Sequence, residues 1–139
     1  MKYKRFDKDI VVRLEVGEDI CEQLLELAKK ENIKLAGISG LGAVNEFTVG
    51  VYNTVEKKYY ANEFSGAYEI VSLTGTLTVK DNEPYLHVHF AAGDEKGHVV
   101  GGHLNRAIIS ATAEIIISVI DGEIGRIFDD NIGLNLLDI

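Results

Sequence analysis

Apolar and polar residues alternate along most of this chain, and a two-residue period is typical of β-strands that bury one face. Segments with this alternation, or with a short β-branched apolar run, occupy residues 9–16, 34–44, 46–52, 57–62, 68–79, 85–92, 107–120 and 122–128. Glycines also lie inside several of these segments, and they predict bulges or close backbone approach. The chain is therefore expected to form a strongly curved, mainly antiparallel sheet.

One segment has a helical period instead. From Asp19 to about Asn32, apolar residues recur at three- and four-residue spacing opposite a charged face. The apolar positions are Ile20, Leu24, Leu27 and Ala28. Cys21 lies near the apolar side of this helix, where a small buried thiol is expected. The predicted fold class is α+β with few helices, in a single domain over residues 1–139.

Composition indicates the cellular compartment in which this chain functions. The single cysteine cannot form an intramolecular disulfide, and the first ten residues have no apolar core of a secretory signal, so a reducing cytoplasm is expected. The most apolar stretch, residues 107–120, is shorter than the roughly 20 residues that span a bilayer, and it contains Glu114. No membrane span is expected.

The charge distribution weighs against DNA as a direct partner. The net charge is −8, whereas duplex-binding chains usually carry a basic patch that displaces counterions from phosphates. The nearest approach to a basic cluster is Lys2, Lys4, Arg5 and Lys8, a pattern expected of a solvated edge strand.

All four histidines fall between residues 84 and 104. On a strand over 85–92, His87 and His89 share one face, and the opposite, apolar face is expected to meet the core. Residues 93–97 then form a polar, glycine-rich turn, which indicates a hairpin. If the turn centres on Glu95, His103 lies opposite His87, with its imidazole on the face of the other two.

A shift of one residue in this pairing would send His103 to the core face, so the cluster depends on the register. In the expected pairing Gly101 lies opposite His89 and leaves room beside it. The Gly101–Gly102 pair could also permit a bulge that re-aims His103. His98 falls near the turn and is expected to be exposed.

Three neutral imidazoles on rigid strands suit zinc or another divalent transition metal, and they leave a fourth position open. Such a site supports hydrolysis, hydration or simple ligand capture. Ligand histidines need a partner for the second ring nitrogen, and Glu69 and Glu114 are the candidates because each interrupts an apolar strand. The alternative is a polar strand face that uses imidazole, with both acids pointing outward. No Ser-His-Asp set, phosphate loop or dinucleotide fingerprint is present, so catalytic residues are unassigned.

The chain resembles the PPC domain family, named for its conservation in plants and prokaryotes. The resemblance rests on Leu-His-Val-His at 86–89 and Val-Val-Gly-Gly-His-Leu at 99–104, and it extends over 37–44, 66–77, 112–117 and 133–137. It implies an α+β homotrimer in which His87, His89 and His103 bind metal. Trimerisation would also cover the apolar tail at 134–137.

Plant members of this family combine the domain with a short minor-groove-binding element and carry a Gly-Arg-Phe-Glu-Ile partner motif. This chain lacks the element, and at 66–70 it reads Gly-Ala-Tyr-Glu-Ile, without the arginine.

Three hypotheses follow for the function of this chain. The first is a cytoplasmic trimer whose metal site binds or transforms a small anionic or carbonyl-containing molecule. The second is a DNA-associated or regulatory module that acts through partners, and the third is a structural trimer stabilised by metal without turnover.

Overall fold

The computed structural model describes residues 1–139 and contains one helix and eight strands. The elements are β1 (Lys2–Phe6), β2 (Asp9–Glu15), α1 (Ile20–Lys30), β3 (Ala36–Asn53), β4 (Lys58–Lys80), β5 (Glu83–Gly93), β6 (Val99–Val119), β7 (Arg126–Asp129) and β8 (Leu134–Leu137). The expected α+β fold with a mainly antiparallel sheet and few helices is confirmed.

Six strands form one antiparallel sheet in the order β1-β2-β6-β3-β4-β5, and β7 pairs with β8 in a separate two-stranded sheet. Strand β5 also pairs with β6, so β3, β4, β5 and β6 close into a ring. At the other end of the sheet, β1 pairs with β2 alone, and most of its residues are exposed. The basic N-terminal segment is therefore an edge strand, as predicted.

Three strands are much longer than the sequence pattern indicates. The predicted segments 34–44 and 46–52 are one 18-residue strand, β3, in which the pairing shifts between Gly40 and Gly42 and between Val44 and Glu46. A bulge inserts one extra residue and interrupts the alternation, so one bent strand reads as two. The segments 57–62 and 68–79 likewise belong to the 23-residue strand β4.

The predicted boundaries of the last strands also change. Segment 107–120 is the end of the 21-residue strand β6, which begins at Val99. Of segment 122–128, only the last three residues lie in a strand, β7, which continues to Asp129. In the preceding connection, the N–H of Val79 donates to the carbonyl of Ile124. The apolar tail at 134–137 is the partner strand β8.

Helix α1 presents the expected apolar face to the core: Ile20, Leu24, Leu27 and Ala28 are all buried. Cys21 packs beside this cluster, and burial, followed by the charges of Asp19 and Glu22, raises the pKa of its thiol to about 12. Such a thiol is protonated at neutral pH and unreactive. With only 11 residues, α1 is too short to cross a membrane, and it is the one helix of the fold.

Asp19 caps α1 and connects it to β6. Its Oδ1 accepts a hydrogen bond from the N–H of Glu22 at 3.0 Å, and its Oδ2 accepts one from the buried N–H of Ala107 at 3.2 Å. We expect Asp19→Ala to lower the free energy of unfolding by about 1–3 kcal/mol, because it removes a helix cap and leaves a buried donor unpaired. Urea denaturation measures this difference. An equal loss for Asp130→Ala, at an exposed loop position, would contradict the assignment.

Candidate metal centre

The hairpin of β5 and β6 carries the histidines on the outer face of the ring. Val88, Phe90 and Ala92 of β5 are buried in the core cluster, as predicted. Because alternate residues of a strand point to opposite faces, His87 and His89 lie on the other side. His87 is partly buried and His89 is exposed.

The register of this hairpin differs from the expected one by two residues. His103 pairs with His89, not with His87, and Gly101 pairs with Ala91, not with His89. The turn causes the difference: the N–H of Asp94 donates to the carbonyl of His98, and the N–H of Gly97 donates to the carbonyl of Asp94. Gly97 has a φ of 80°, the left-handed conformation that a three-residue hairpin loop requires.

A shift of two residues preserves the face on which each side chain lies. His103 therefore joins His87 and His89 despite the wrong register. The candidate ligand nitrogens of the three imidazoles all lie within 4.8 Å of one another. The ring centroids are 5.2 Å apart for His87–His89 and His87–His103, and 5.9 Å apart for His89–His103.

This donor set fits zinc. Tetrahedral zinc with nitrogen ligands at 2.0–2.1 Å needs those nitrogens about 3.3 Å apart, a distance that small side-chain rotations supply here. The fourth histidine stays apart from the group: His98 has a side chain that is 75% exposed, and its Nδ1 lies 3.1 Å from a carboxylate oxygen of Asp94. The predicted exposure of His98 is confirmed.

The two glycines before His103 allow close strand packing, but they form no bulge in the hairpin. A Cβ at Gly101 would collide with the carbonyl oxygen of Phe90, and one at Gly102 would lie 2.6 Å from the carbonyl oxygen of Gly50. The β5–β6 pairing runs without a shift. The bulge that the glycine pair could permit is not formed there, and β6 instead slips against β3 at Asn105.

Neither predicted carboxylate lies beside the imidazoles of its own chain. Glu69 is exposed and pairs with Gly93, four residues beyond His89, which is roughly 13 Å along the strand. Glu114 is exposed and pairs with Arg13 on β2. The expectation that these acids hold the second ring nitrogens does not hold within one chain.

Threonines face the histidines from the neighbouring strand. Thr74 pairs with His89, and Thr76 pairs with His87 across β4 and β5.

Arg126, which sequence reasoning missed, lies on the same face. Its Nε donates to Thr78 Oγ1 at 3.0 Å, its Nη1 to the carbonyl of Asn135 at 3.0 Å, and its Nη2 to Thr76 Oγ1 at 3.4 Å. The guanidinium carbon also lies 4.6 Å from the ring centroid of Tyr85. Sequence spacing offers no signal for this residue, because the β7–β8 sheet brings it from outside the histidine segment.

Tyr59 borders the site on the other side. Its hydroxyl donates to Asn105 Oδ1 at 2.6 Å and lies 3.3 Å from the carbonyl oxygen of His103. Its ring meets the His103 ring edge to face, with centroids 6.1 Å apart. Burial raises the pKa of the Tyr59 hydroxyl, so this group stays protonated at neutral pH.

The environment favours neutral imidazoles. Burial, followed by the nearby His103, Arg126 and His89, lowers the pKa of His87. Burial, followed by His89, lowers the pKa of His103. Both rings are therefore neutral near pH 7, as metal ligands must be.

These lowered pKa values predict how the metal-free protein responds to acid. Well above pH 6.5, both the folded and the unfolded states keep these histidines neutral. Below that pH the unfolded chain binds protons more readily, so stability falls as pH drops from 6.5 towards the folded-state pKa values. The midpoint of urea denaturation, measured in the presence of chelator, should fall less between pH 7.5 and pH 5.5 for the double variant His87→Gln/His103→Gln than for the wild-type protein. Equal falls would contradict the assignment.

Solved structures of similar proteins share this fold over nearly the whole chain. A candidate DNA-binding protein from Bacteroides thetaiotaomicron is 28% identical, with a TM-score of 0.96, covering 99% of this chain and 96% of that one. The metal-containing protein AF0104 from Archaeoglobus fulgidus is 33% identical, with a TM-score of 0.87 and 99% coverage of both chains. A plant- and prokaryote-conserved protein from Pyrococcus horikoshii is 31% identical, with a TM-score of 0.87, covering 99% of this chain and 94% of that one.

A curated relative is much longer. The bifunctional protein GlmU of Synechococcus sp. (strain JA-3-3Ab) is 28% identical over 109 residues, which make up 77% of this chain but 16% of that protein. The family model of the Plants and Prokaryotes Conserved (PCC) domain matches residues 1–121, from the edge strand β1 through the histidine hairpin to the end of β6. This chain belongs to the PCC domain family.

Proposed function

We propose that this protein binds zinc through His87, His89 and His103 and uses the open position of that centre to bind a small anionic or carbonyl-containing molecule. The convergence of three candidate ligand nitrogens within 4.8 Å carries the proposal. The similar Archaeoglobus fulgidus protein, described as metal-containing, supports it.

The chain would supply three of four tetrahedral ligands, and zinc bound there would supply a Lewis acid. The exposed His89 places the site at the protein surface, within reach of molecules in solution. Tyr59 and Arg126 border the three imidazoles and can contact a bound molecule. If the bound molecule is transformed, the reaction would depend on the metal and would take place at this centre.

Cobalt substitution tests both parts of the proposal, because tetrahedral Co²⁺ has intense visible bands and octahedral Co²⁺ has weak ones. We expect the metal-free protein to bind one Co²⁺ per chain with a tetrahedral spectrum. Inorganic phosphate or acetate should then change the spectrum by entering the open position. A saturated, tetrahedral centre that no added molecule perturbs would favour a purely structural metal, and a weak octahedral spectrum would contradict the three-histidine site.

We infer further that three copies assemble into a homotrimer, as the family resemblance implies. Apolar side chains on the outer face of the sheet support this inference: Val11, Leu41 and Ile116 are 41%, 56% and 40% exposed and lie beside one another. Leu134 and Leu137 of the tail are each 39% exposed. Such surfaces are costly to leave in water.

Sedimentation velocity tests the assembly. We expect the wild-type protein to have three times the 15.3-kDa mass of the chain. Leu41→Asp should reduce the assembly, because burying an unpaired carboxylate in an interface is strongly unfavourable. Val55→Asp is the matched control, since Val55 is 90% exposed in the β3–β4 turn. A monomeric wild-type protein would contradict the inference.

DNA association is the second candidate function, favoured by the description of the Bacteroides thetaiotaomicron relative. Charge counts against it, because the net charge is −8 and three of the N-terminal cations are paired with acids. These pairs are Lys2–Glu15, Arg5–Glu31 and Lys8–Asp121. Failure to bind duplex DNA at low salt would exclude direct phosphate contact.

For the cellular location we propose the cytoplasm, consistent with the single free thiol of Cys21.

A further inference from the structure

Arg126 differs from every other arginine of the chain in its partners. Arg5, Arg13 and Arg106 each form a salt bridge with a glutamate. Arg126 donates only to neutral groups, namely two threonine hydroxyls and one backbone carbonyl. In a protein with a net charge of −8, this partly buried cation stands without an acidic partner.

The guanidinium also retains donors. It has five N–H groups, and three hydrogen bonds leave one on each Nη nitrogen. These bonds and the stacking on Tyr85 hold the group in one orientation. A fixed planar pair of donors matches the geometry of a carboxylate or phosphate group.

The guanidinium of Arg126 lies close to the histidines. The guanidinium stacks on Tyr85, which precedes His87 by two residues on β5 and shares its face, so the two side chains are about 7 Å apart along the strand. Its Nη2 reaches Thr76, the cross-strand neighbour of His87. An oxyanion between Arg126 and the three imidazoles can therefore contact both.

We infer that Arg126 binds the oxyanion group of the small molecule held at the three-histidine centre, so that the ligand is a carboxylate or a phosphate. This inference rests on the proposed function. It narrows the ligand class from anionic or carbonyl-containing molecules to those with an oxyanion that reaches the guanidinium and the open metal position together.

The competing explanation is structural, because Arg126 also fixes the β7–β8 sheet to β4 through Asn135 and Thr78. The cobalt-loaded protein separates the two explanations. Inorganic phosphate, acetate and neutral imidazole are titrated separately while the visible spectrum is recorded. Phosphate and acetate distinguish the two oxyanion classes, and imidazole reports on the open metal position without using Arg126.

We expect Arg126→Gln to weaken binding of the preferred oxyanion about tenfold or more, since a charge-assisted hydrogen bond is lost. Imidazole binding and cobalt content should stay within about twofold of wild type. Arg126→Lys, which keeps the charge without the planar fork, should give an intermediate loss and serves if the glutamine variant misfolds. Arg5→Gln, at an exposed position of the edge strand β1, is the matched control and should change nothing.

Two outcomes would overturn the inference while the metal site stands: unchanged oxyanion affinity in both Arg126 variants, or equal losses for imidazole and the oxyanions. The second outcome would show that Arg126 only supports the fold. Failure of the wild-type protein to bind cobalt is a different result, because it refutes the proposed metal site and the inference with it.

Discussion

Replacing His103 by alanine should lower the zinc affinity of the metal-free protein by more than about 100-fold, the upper range for disturbing groups that only support a metal ligand. His103 is the one ligand that β6 contributes, and it faces His89 across the hairpin. Without it, two histidines on β5 remain, so the protein fills only two of the four positions of a tetrahedral centre instead of three. Competition with a zinc-binding dye measures the affinity.

His98→Ala provides the matched control for this experiment. It removes the same side chain from the same hairpin, but at a position where the imidazole is exposed and contacts Asp94 instead of the cluster. Zinc affinity should stay within about twofold of wild type. An equal loss for both variants would mean that zinc binds nonspecifically to surface imidazoles.

The second large effect is expected at Gly101. In Gly101→Ala the added Cβ meets the carbonyl oxygen of Phe90 and lies 2.9 Å from the Cα of Ala91, so β5 and β6 must separate. We expect the free energy of unfolding to fall by about 1–3 kcal/mol, the usual range for overpacking. Zinc affinity should fall as well, because the same pairing positions His89 against His103.

Gly37→Ala tests whether the effect is steric. Gly37 is also a strand glycine, on β3, but a Cβ there meets nothing within 4 Å. Urea denaturation of the two variants should therefore show a loss for Gly101→Ala alone. A comparable loss for Gly37→Ala would point to the backbone preferences of glycine rather than to the close approach of β5 and β6.

Local periodicity was sufficient to predict the histidine face. Alternation places His87 and His89 opposite the buried Val88, and only the parity of the hairpin decides whether His103 joins them. The exact register was wrong because the conformation of Gly97 sets the centre of the turn, and alternation alone does not encode it.

Features that depend on distant parts of the chain were out of reach of such reasoning. The pairing of β6 with β3, which closes the ring around the predicted hairpin, and the bulge at Asn105 involve strands that are distant in the chain. Arg126 reaches the site because β7 and β8 fold back onto β4, an arrangement without a local signal. Glu69 and Glu114 were predicted to hold the imidazoles because each interrupts an apolar strand. Both side chains are exposed, so each interrupts its strand by pointing into solvent rather than by holding an imidazole.

Metal content, measured by elemental analysis of the untagged, freshly purified protein, tests the three-histidine centre most directly. The protein is untagged because a histidine tag would itself bind metal. The His87→Ala/His89→Ala variant and the His98→Ala variant are analysed beside it. We expect about one zinc ion per chain in the wild-type and His98→Ala proteins and almost none in the double variant. Wild-type protein that contains no metal and fails to take up added zinc would contradict the account and leave the cluster as a polar strand face.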